Sequence, residues 1–229
     1  MECQSSCTEQ EVLAFLKKLK EIVPEEKNGT RYDPYYQTID LPFGHKINAY
    51  GDNEKFQLAT WNNIKDLVNW SDKCVVDIGC LNGFFCCKIK EAGASHVLGL
   101  DLFPQAVDVA AEISRLKGLE IQYQQCDIGE GAIDKNCDIV LLLNMLHHVK
   151  NPEHALVQAF SMGANVIMEV QFAGFNSSQG TGFNRMAKNM NGISANLVTA
   201  MGKAHGHSLV AENKSARPNR TILHYRRDA

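Results

Sequence analysis

The stretch VVDIGCLNGFF, Val75 to Phe85, constrains the fold of this chain more than any other. An apolar, β-branched run stops at Gly79, a second glycine follows at Gly83, and a helix-compatible run begins at once. A strand that turns on glycine directly into a helix is the opening unit of a parallel α/β sheet. The rest of the chain repeats the alternation. Strands are expected at Cys74–Ile78, His96–Asp101, Glu120–Gln124, Asp138–Leu143, Asn165–Val170, Ser208–Glu212 and Thr221–Arg226. Helical patterns lie between the first five, at about 84–92, 105–117 and 153–161, with Pro104 and Pro152 where a first helical turn tolerates proline. The run IVLLLNML is apolar but for Asn144, as a strand covered on both faces must be along its length. The fold expected is a doubly wound, Rossmann-like α/β sheet of seven strands, with its ligand crevice at the carboxyl ends of the strands.

Ahead of this unit, TEQEVLAFLKKLKEIV carries a T-x-x-E capping box and apolar residues at helical spacing, and Pro24 ends it. The segment YDPYYQTIDLPFG is aromatic and rich in turn residues, which predicts an ordered flap. The expected organisation is therefore an N-terminal helix and aromatic flap over residues 1–60 and a ligand-binding domain over 61–229. No internal repeat is present, and no apolar run is long enough to span a bilayer. A soluble, cytoplasmic protein without a membrane partner is expected. The eight cysteines form no CxxC pair and no metal-ligand spacing, so they read as reduced and mostly buried, with no metal site expected. Net charge is −3 but unevenly placed: residues 172–229 hold 8 Lys/Arg against 2 Asp/Glu, while residues 1–171 hold 15 against 24. The basic end is a candidate face for a polyanion, although Arg217, Arg220, Arg226 and Arg227 could equally solvate a terminal strand.

What the glycine turn holds follows from the residues around it. Gly79 suits a tight turn, and Gly83 would let the chain approach a ligand as the helix starts. Leu81 stands where a dinucleotide fingerprint needs its middle glycine, which disfavours NAD or FAD, and no Lys-Ser or Lys-Thr follows to make a P-loop. S-adenosylmethionine (SAM) fits the remaining features. Asp77 precedes the turn and suits a cationic ligand. Asp101 ends the second strand and can accept from two ribose hydroxyls. Asp127 closes the third strand and can accept from the adenine amino group. Cys80, Leu102 and Ile128 adjoin these positions and belong to the same expected cofactor site, and Asn144 is assigned to the methionine end.

Through VVDIGCLNGFF, VLGLDL, QCDIG and DIVLLLNMLHHVKNP the chain resembles the class I SAM-dependent methyltransferases, over roughly residues 60–171. Within them, YYQTIDLPFGHKINAYGDNEKFQLATW followed by DIGCLNGFF resembles the group that methylates 5-hydroxyuridine-type bases at the tRNA wobble position. The resemblance implies O-methylation of a modified wobble uridine; a small metabolite as acceptor, and a non-catalytic SAM-binding module, are the other readings. The family's L-Y-H motif after the fourth strand, whose Tyr is implicated in recognising a carboxylated form of SAM, is Leu146-His147-His148 here, so ordinary SAM is expected. His147 and His148 are the candidate general bases. Tyr36, Glu169, Gln171, Arg185 and Lys188 are candidate substrate contacts, with Tyr35 and Phe43 as further aromatic platforms for a base. Residues 172–192 have the composition of a lid.

Overall fold

The structure is a computed structural model of the 229-residue chain, and it describes residues 7–27, 30–133, 135–171 and 193–229. Seven strands form the central sheet: β1 (Cys74–Ile78), β2 (His96–Asp101), β3 (Gln122–Gln125), β4 (Cys137–Leu143), β5 (Gly163–Val170), β6 (His207–Lys214) and β7 (Thr221–Arg227). Their spatial order is β6-β7-β5-β4-β1-β2-β3. The five strands from β1 to β5 run parallel, while β7 pairs antiparallel with both β5 and β6. All seven expected strands are present. Strand β3 starts two residues later than expected, and β5 and β6 extend further at their ends.

Alternation along the strands divides the core into two faces. Val76, Ile78, Val140, Leu142, Val166 and Met168 pack with Leu156 and Phe160 of α5 (Pro152–Met162) and Val198 of α6 (Ala195–Ala204). Val75, Ile139, Leu141 and Ile167 face the other way, against Ile64 of α2 (Asn53–Ile64) and Cys86 and Ile89 of α3 (Phe84–Glu91). The remaining two helices, α1 (Glu9–Glu21) and α4 (Pro104–Leu116), join Phe84 and Cys87 in a third cluster through Val12, Phe15, Val109 and Ile113. Thr8 and Glu11 form the expected capping box of α1. Helices α2 and α6 were not expected. In α2 the apolar residues are few and mixed with Asn, Gln and Thr, which announces no periodic stripe.

The division expected at residue 60 falls inside α2. Residues before it are bound into the domain: Tyr32 is fully buried, its hydroxyl donates to Asn82 Oδ1 (2.8 Å), and Asn82 Nδ2 donates to Pro34 O (2.7 Å). Phe84 N donates to Gln37 Oε1 (3.3 Å), so the flap is hydrogen-bonded to the glycine turn itself. Among the described residues, no helix is long and apolar enough to cross a membrane, and no group of three or more His, Cys, Asp or Glu is placed to hold a metal ion.

Candidate functional site

Strand order changes direction between β1 and β4: the chain leaves β1 toward β2 on one side and returns to β4 on the other. A crevice at such a switch point, outside the carboxyl ends, is where open α/β sheets bind ligands. Here it is lined by the turn after β1 and by Asn144 and Met145 after β4. The turn is held from below, with Gly79 N and Cys80 N both donating to Leu100 O of β2 (2.7 and 3.0 Å). Gly79, Leu81 and Gly83 all have positive φ, of 79°, 49° and 80°. A left-handed leucine is uncommon, and such conformers persist where the surroundings over-determine them.

Asp101 supplies that determination. Its Oδ2 accepts from Leu81 N (2.9 Å) and its Oδ1 from Phe103 N (3.0 Å), so one carboxylate fixes both the turn and the exit of β2. Each oxygen keeps a further lone pair for a ligand donor. Burial raises the Asp101 pKa, against the three backbone N–H groups that favour its ionised form. Asp77 lies beneath the turn, almost wholly buried, and accepts from Cys86 Sγ (3.3 Å). Burial lifts its pKa to about 7, against the hydrogen bond from Cys86, and the neighbouring Asp101 charge adds to the rise.

The two glycines have different reasons to be glycine. A Cβ on Gly79 would lie 3.0 Å from Met145 Cβ, across the crevice. A Cβ on Gly83 would lie 2.5 Å from the hydroxyl of Tyr123, and one on Gly99 of β2 would lie 2.5 Å from the same ring. Gly83, expected to admit a ligand, also has a packing reason to lack a side chain, because Tyr123 lies against it and bonds Ser114 Oγ (2.8 Å). Cys80 likewise turns its side chain into the core beside Val75 and Cys86, leaving only its backbone at the turn.

The other expected cofactor residues gather at the same rim. Leu102 packs with Tyr32, Phe103 and Leu81. Asp127 Oδ1 accepts from Gly129 N (3.0 Å), and Ile128 is buried in the core. Asn144 is left-handed (φ 59°), a conformation asparagine tolerates. Its N–H donates to Glu169 O (3.0 Å) and its Nδ2 to Tyr36 Oη (3.3 Å), while its Oδ1 is buried with no hydrogen-bond partner. A buried acceptor without a donor is costly and points to a ligand donor. Together with Asp101 and Asp77 it makes a set of acceptors at the ends of β1, β2 and β4, which fits a ligand carrying hydroxyls and positive charge.

Beyond Asn144 lies a second group. Leu146–His148 form a 3-10 turn, and the His147 and His148 ring centroids are 4.0 Å apart. Burial, reinforced by each other's proximity and by the charges of Arg220 and Arg217, drives the His147 pKa down to about 2. Burial and Arg220 bring His148 to about 4. Both rings are neutral at physiological pH. Glu169, at the end of β5, is 2% exposed and accepts from Thr60 Oγ1 (3.3 Å) and from Ser215 Oγ. Tyr36 Oη accepts from Arg217 Nη2 (3.4 Å), which also donates to Asn53 Oδ1 (3.1 Å), and the Arg217 guanidinium lies 4.6 Å over the Phe56 ring.

The structure therefore brings together Tyr36, Asn144, His147, His148 and Glu169 and adds Arg217 and Arg220, which the sequence offered only as phosphate contacts or surface charge. Of the other two arginines of this end, Arg227 donates to Phe160 O, Ser161 O and Gly163 O at the end of α5. Arg185, Lys188 and the expected lid at 172–192 lie outside the described residues. Tyr35 packs against Tyr50 (5.8 Å between centroids) and Phe43 is 54% exposed, away from the crevice. Asn82, Gln37 and Tyr123 were not anticipated, since nothing in sequence spacing marks a polar residue that braces a turn from 50 residues away.

A family model described as a methyltransferase domain matches residues 76–162. The tRNA U34 carboxymethyltransferase of Cellvibrio japonicus is 26% identical over 116 residues, 48% of this chain and 36% of that protein. The ubiquinone biosynthesis O-methyltransferase of Aeromonas salmonicida is 35% identical over 86 residues, 37% of this chain and 36% of that protein. The chain thus spans little more than a third of the length of these two curated relatives. Among solved structures, magnesium protoporphyrin IX methyltransferase from Synechocystis with bound SAH superposes with a TM-score of 0.61 at 15% identity, covering 77% of this chain and 87% of that one. The N-terminal domain of EvdMO1, with SAH and D-fucose, reaches 0.66 at 15% identity over 99% of both chains.

Proposed function

We propose that this chain, which has the fold of the class I methyltransferases and their domain sequence over residues 76–162, binds SAM in the β1–β4 crevice and methylates an oxygen acceptor held beside Asn144. The observation that carries the reading is the set of buried acceptors around a left-handed glycine turn: Asp77, Asp101 and the unpartnered Asn144 Oδ1. Bound there, SAM supplies a methyl group activated by its sulfonium. Asp101 accepts from the ribose hydroxyls while it anchors Leu81 and Phe103. Asn144 Oδ1 accepts from the amino group, and Asp77 provides negative charge beneath it. The chain's remaining task is placement, which can contribute on the order of 7 to 11 kcal/mol when reacting groups are held in line.

His147 and His148 serve this reaction as neutral imidazoles. With pKa values of about 2 and about 4 they accept a hydrogen bond from an acceptor hydroxyl, but they are weak proton acceptors at neutral pH. The Arg220 charge that depresses both, and the Arg217 charge that acts on His147, favour an acceptor oxygen that is already ionised. The test is calorimetric titration with SAM and SAH, followed by detection of SAH formed on turnover. Failure of the folded protein to bind either compound would overturn the reading.

A modified tRNA wobble uridine as the acceptor is supported by the names of relatives such as those from Cellvibrio japonicus and Nautilia profundicola. The ubiquinone biosynthesis O-methyltransferases support a small-molecule acceptor instead. One observation supports the small acceptor: Arg217 is engaged by Tyr36 and Asn53 and Arg220 is largely buried, which leaves Arg226 and Arg227 as the exposed arginines of this end. If RNA is the acceptor, binding of total tRNA should fall with salt at a log-log slope of roughly −0.7 per neutralised phosphate. No binding at low salt removes that acceptor.

A further inference from the structure

The loop that joins β6 to β7 carries Ser215, Arg217 and Arg220, and the register of β7 against β5, with Thr221 opposite Val170, sets it on the carboxyl rim of the sheet beside Glu169. Three charged side chains meet there, two guanidinium groups and one carboxylate. Glu169 accepts from Ser215 and Thr60, one bond on each oxygen, and Arg217 is clamped by Tyr36, Asn53 and the face of Phe56. Arg220 is different. Its Nη1 is buried with no hydrogen-bond partner. Its desolvation, with the Arg217 charge beside it, works against its ionised form, and Glu169 offsets only part of that. Both histidines alongside are held neutral, so they contribute no further charge. The described residues of the pocket therefore hold one positive charge more than they balance, on a fork-shaped donor whose geometry suits a carboxylate. An uncompensated buried charge is expensive, and a ligand anion would relieve it.

We infer that the methyl acceptor is an organic anion and that Arg220, with Arg217 beside it, holds its carboxylate. The inference rests on the crevice being a SAM-dependent methyl-transfer site, and it adds the acceptor's class. The neutral histidines and Tyr36 line the approach, so the acceptor's oxygen lies toward Asn144 while its carboxylate lies toward the β6–β7 loop. A carboxylate could also come from the methionine end of the cofactor itself, and the test separates the two.

The experiment uses the full chain saturated with SAH and titrates it with benzoate and, separately, with the neutral isostere benzamide, following heat and the histidine ring resonances. Benzoate should bind at least tenfold more tightly than benzamide and raise the His148 pKa by one unit or more. Arg220→Gln should abolish the preference for benzoate while leaving SAH affinity within twofold, and Arg217→Gln should weaken it partially. Equal binding of the two probes, binding of neither, or a benzoate preference that survives Arg220→Gln overturns the inference. A tenfold or greater loss of SAH affinity in Arg220→Gln gives the guanidinium to the cofactor's own carboxylate and overturns it too. If Arg220→Gln does not fold, Arg220→Lys decides, since a point charge without the fork should lower benzoate affinity severalfold and leave SAH unchanged. Failure of the wild type to bind SAH would instead sink the methyltransferase reading on which the inference stands.

Discussion

Asp101 does two things at one position, and that makes it the most informative residue to change. Asp101→Asn keeps the shape but replaces one accepting oxygen by a donor, so it opposes either Leu81 N or Phe103 N and removes ionised contacts to a ligand. SAM affinity should fall by about 1.5 to 3 kcal/mol, the range for hydrogen bonds to charged groups, measured by calorimetry on a variant shown to be folded; unchanged affinity would move the cofactor elsewhere. Asp77 makes a second prediction, in pH. Its folded pKa of about 7 lies above the ordinary value of 3.8, so the stability linked to it is full below pH 3.8 and is lost as pH rises through about 7. Binding of a cationic ligand runs the opposite way, because it needs the ionised form. The Kd of SAM should decrease between pH 6 and pH 8, and Asp77→Asn should flatten that dependence. A SAM affinity independent of pH over that range in the wild type would contradict the pairing.

At the scale of elements, the parallel core was legible because periodicity and glycine placement are local. Ile139 to Leu143 is apolar on both faces, as is Val75 to Ile78 apart from Asp77, and the structure covers both. The site was legible only where one residue type explains itself, as Asp101 does at a strand end. It was not legible where function depends on long-range bracing: Tyr32 and Asn82 are 50 residues apart, and Arg217 meets Tyr36 across 181. Gly83 shows the limit from the other side, since a φ of 80° and the hydroxyl of Tyr123 already require a bare Cα there, and neither can be read from spacing. Gly79→Val tests the turn as an element. The substitution combines a φ of 79° with a Cβ 3.0 Å from Met145, so it should abolish measurable SAM binding and lower stability by about 1 to 3 kcal/mol. Normal binding by that variant would mean the turn is not the cofactor loop.

For the whole molecule, the buried histidines set the acid limit. His147 and His148 resist protonation in the folded chain down to about pH 2 and about pH 4, while the unfolded chain takes up those protons near pH 6.5. Folded pKa values depressed in this way mean stability that is present above pH 6.5 and falls as pH drops, by about 1.4 kcal/mol per pH unit for each proton. Asp77 and Asp101, both raised by burial, oppose part of this, while His205 and His224, also lowered by burial, add to it. Urea midpoints measured from pH 7 to pH 4.5 should therefore decline, and His147→Gln should remove most of the decline if the variant folds. A flat profile in the wild type would mean the rings are not shielded as described.

The flap that reaches the glycine turn through Tyr32, Pro34 and Gln37 also bears on time. Its hydrogen bonds to Asn82 and Phe84 brace the turn from outside the sheet, so a ligand seated on that turn stays for as long as those bonds keep the turn in shape. Dwell time, more than tightness of contact, is then what those bonds govern. Tyr32→Phe, which strands Asn82 Oδ1 without its donor, should shorten the residence of bound SAH in stopped-flow displacement while leaving the association rate nearly as it was.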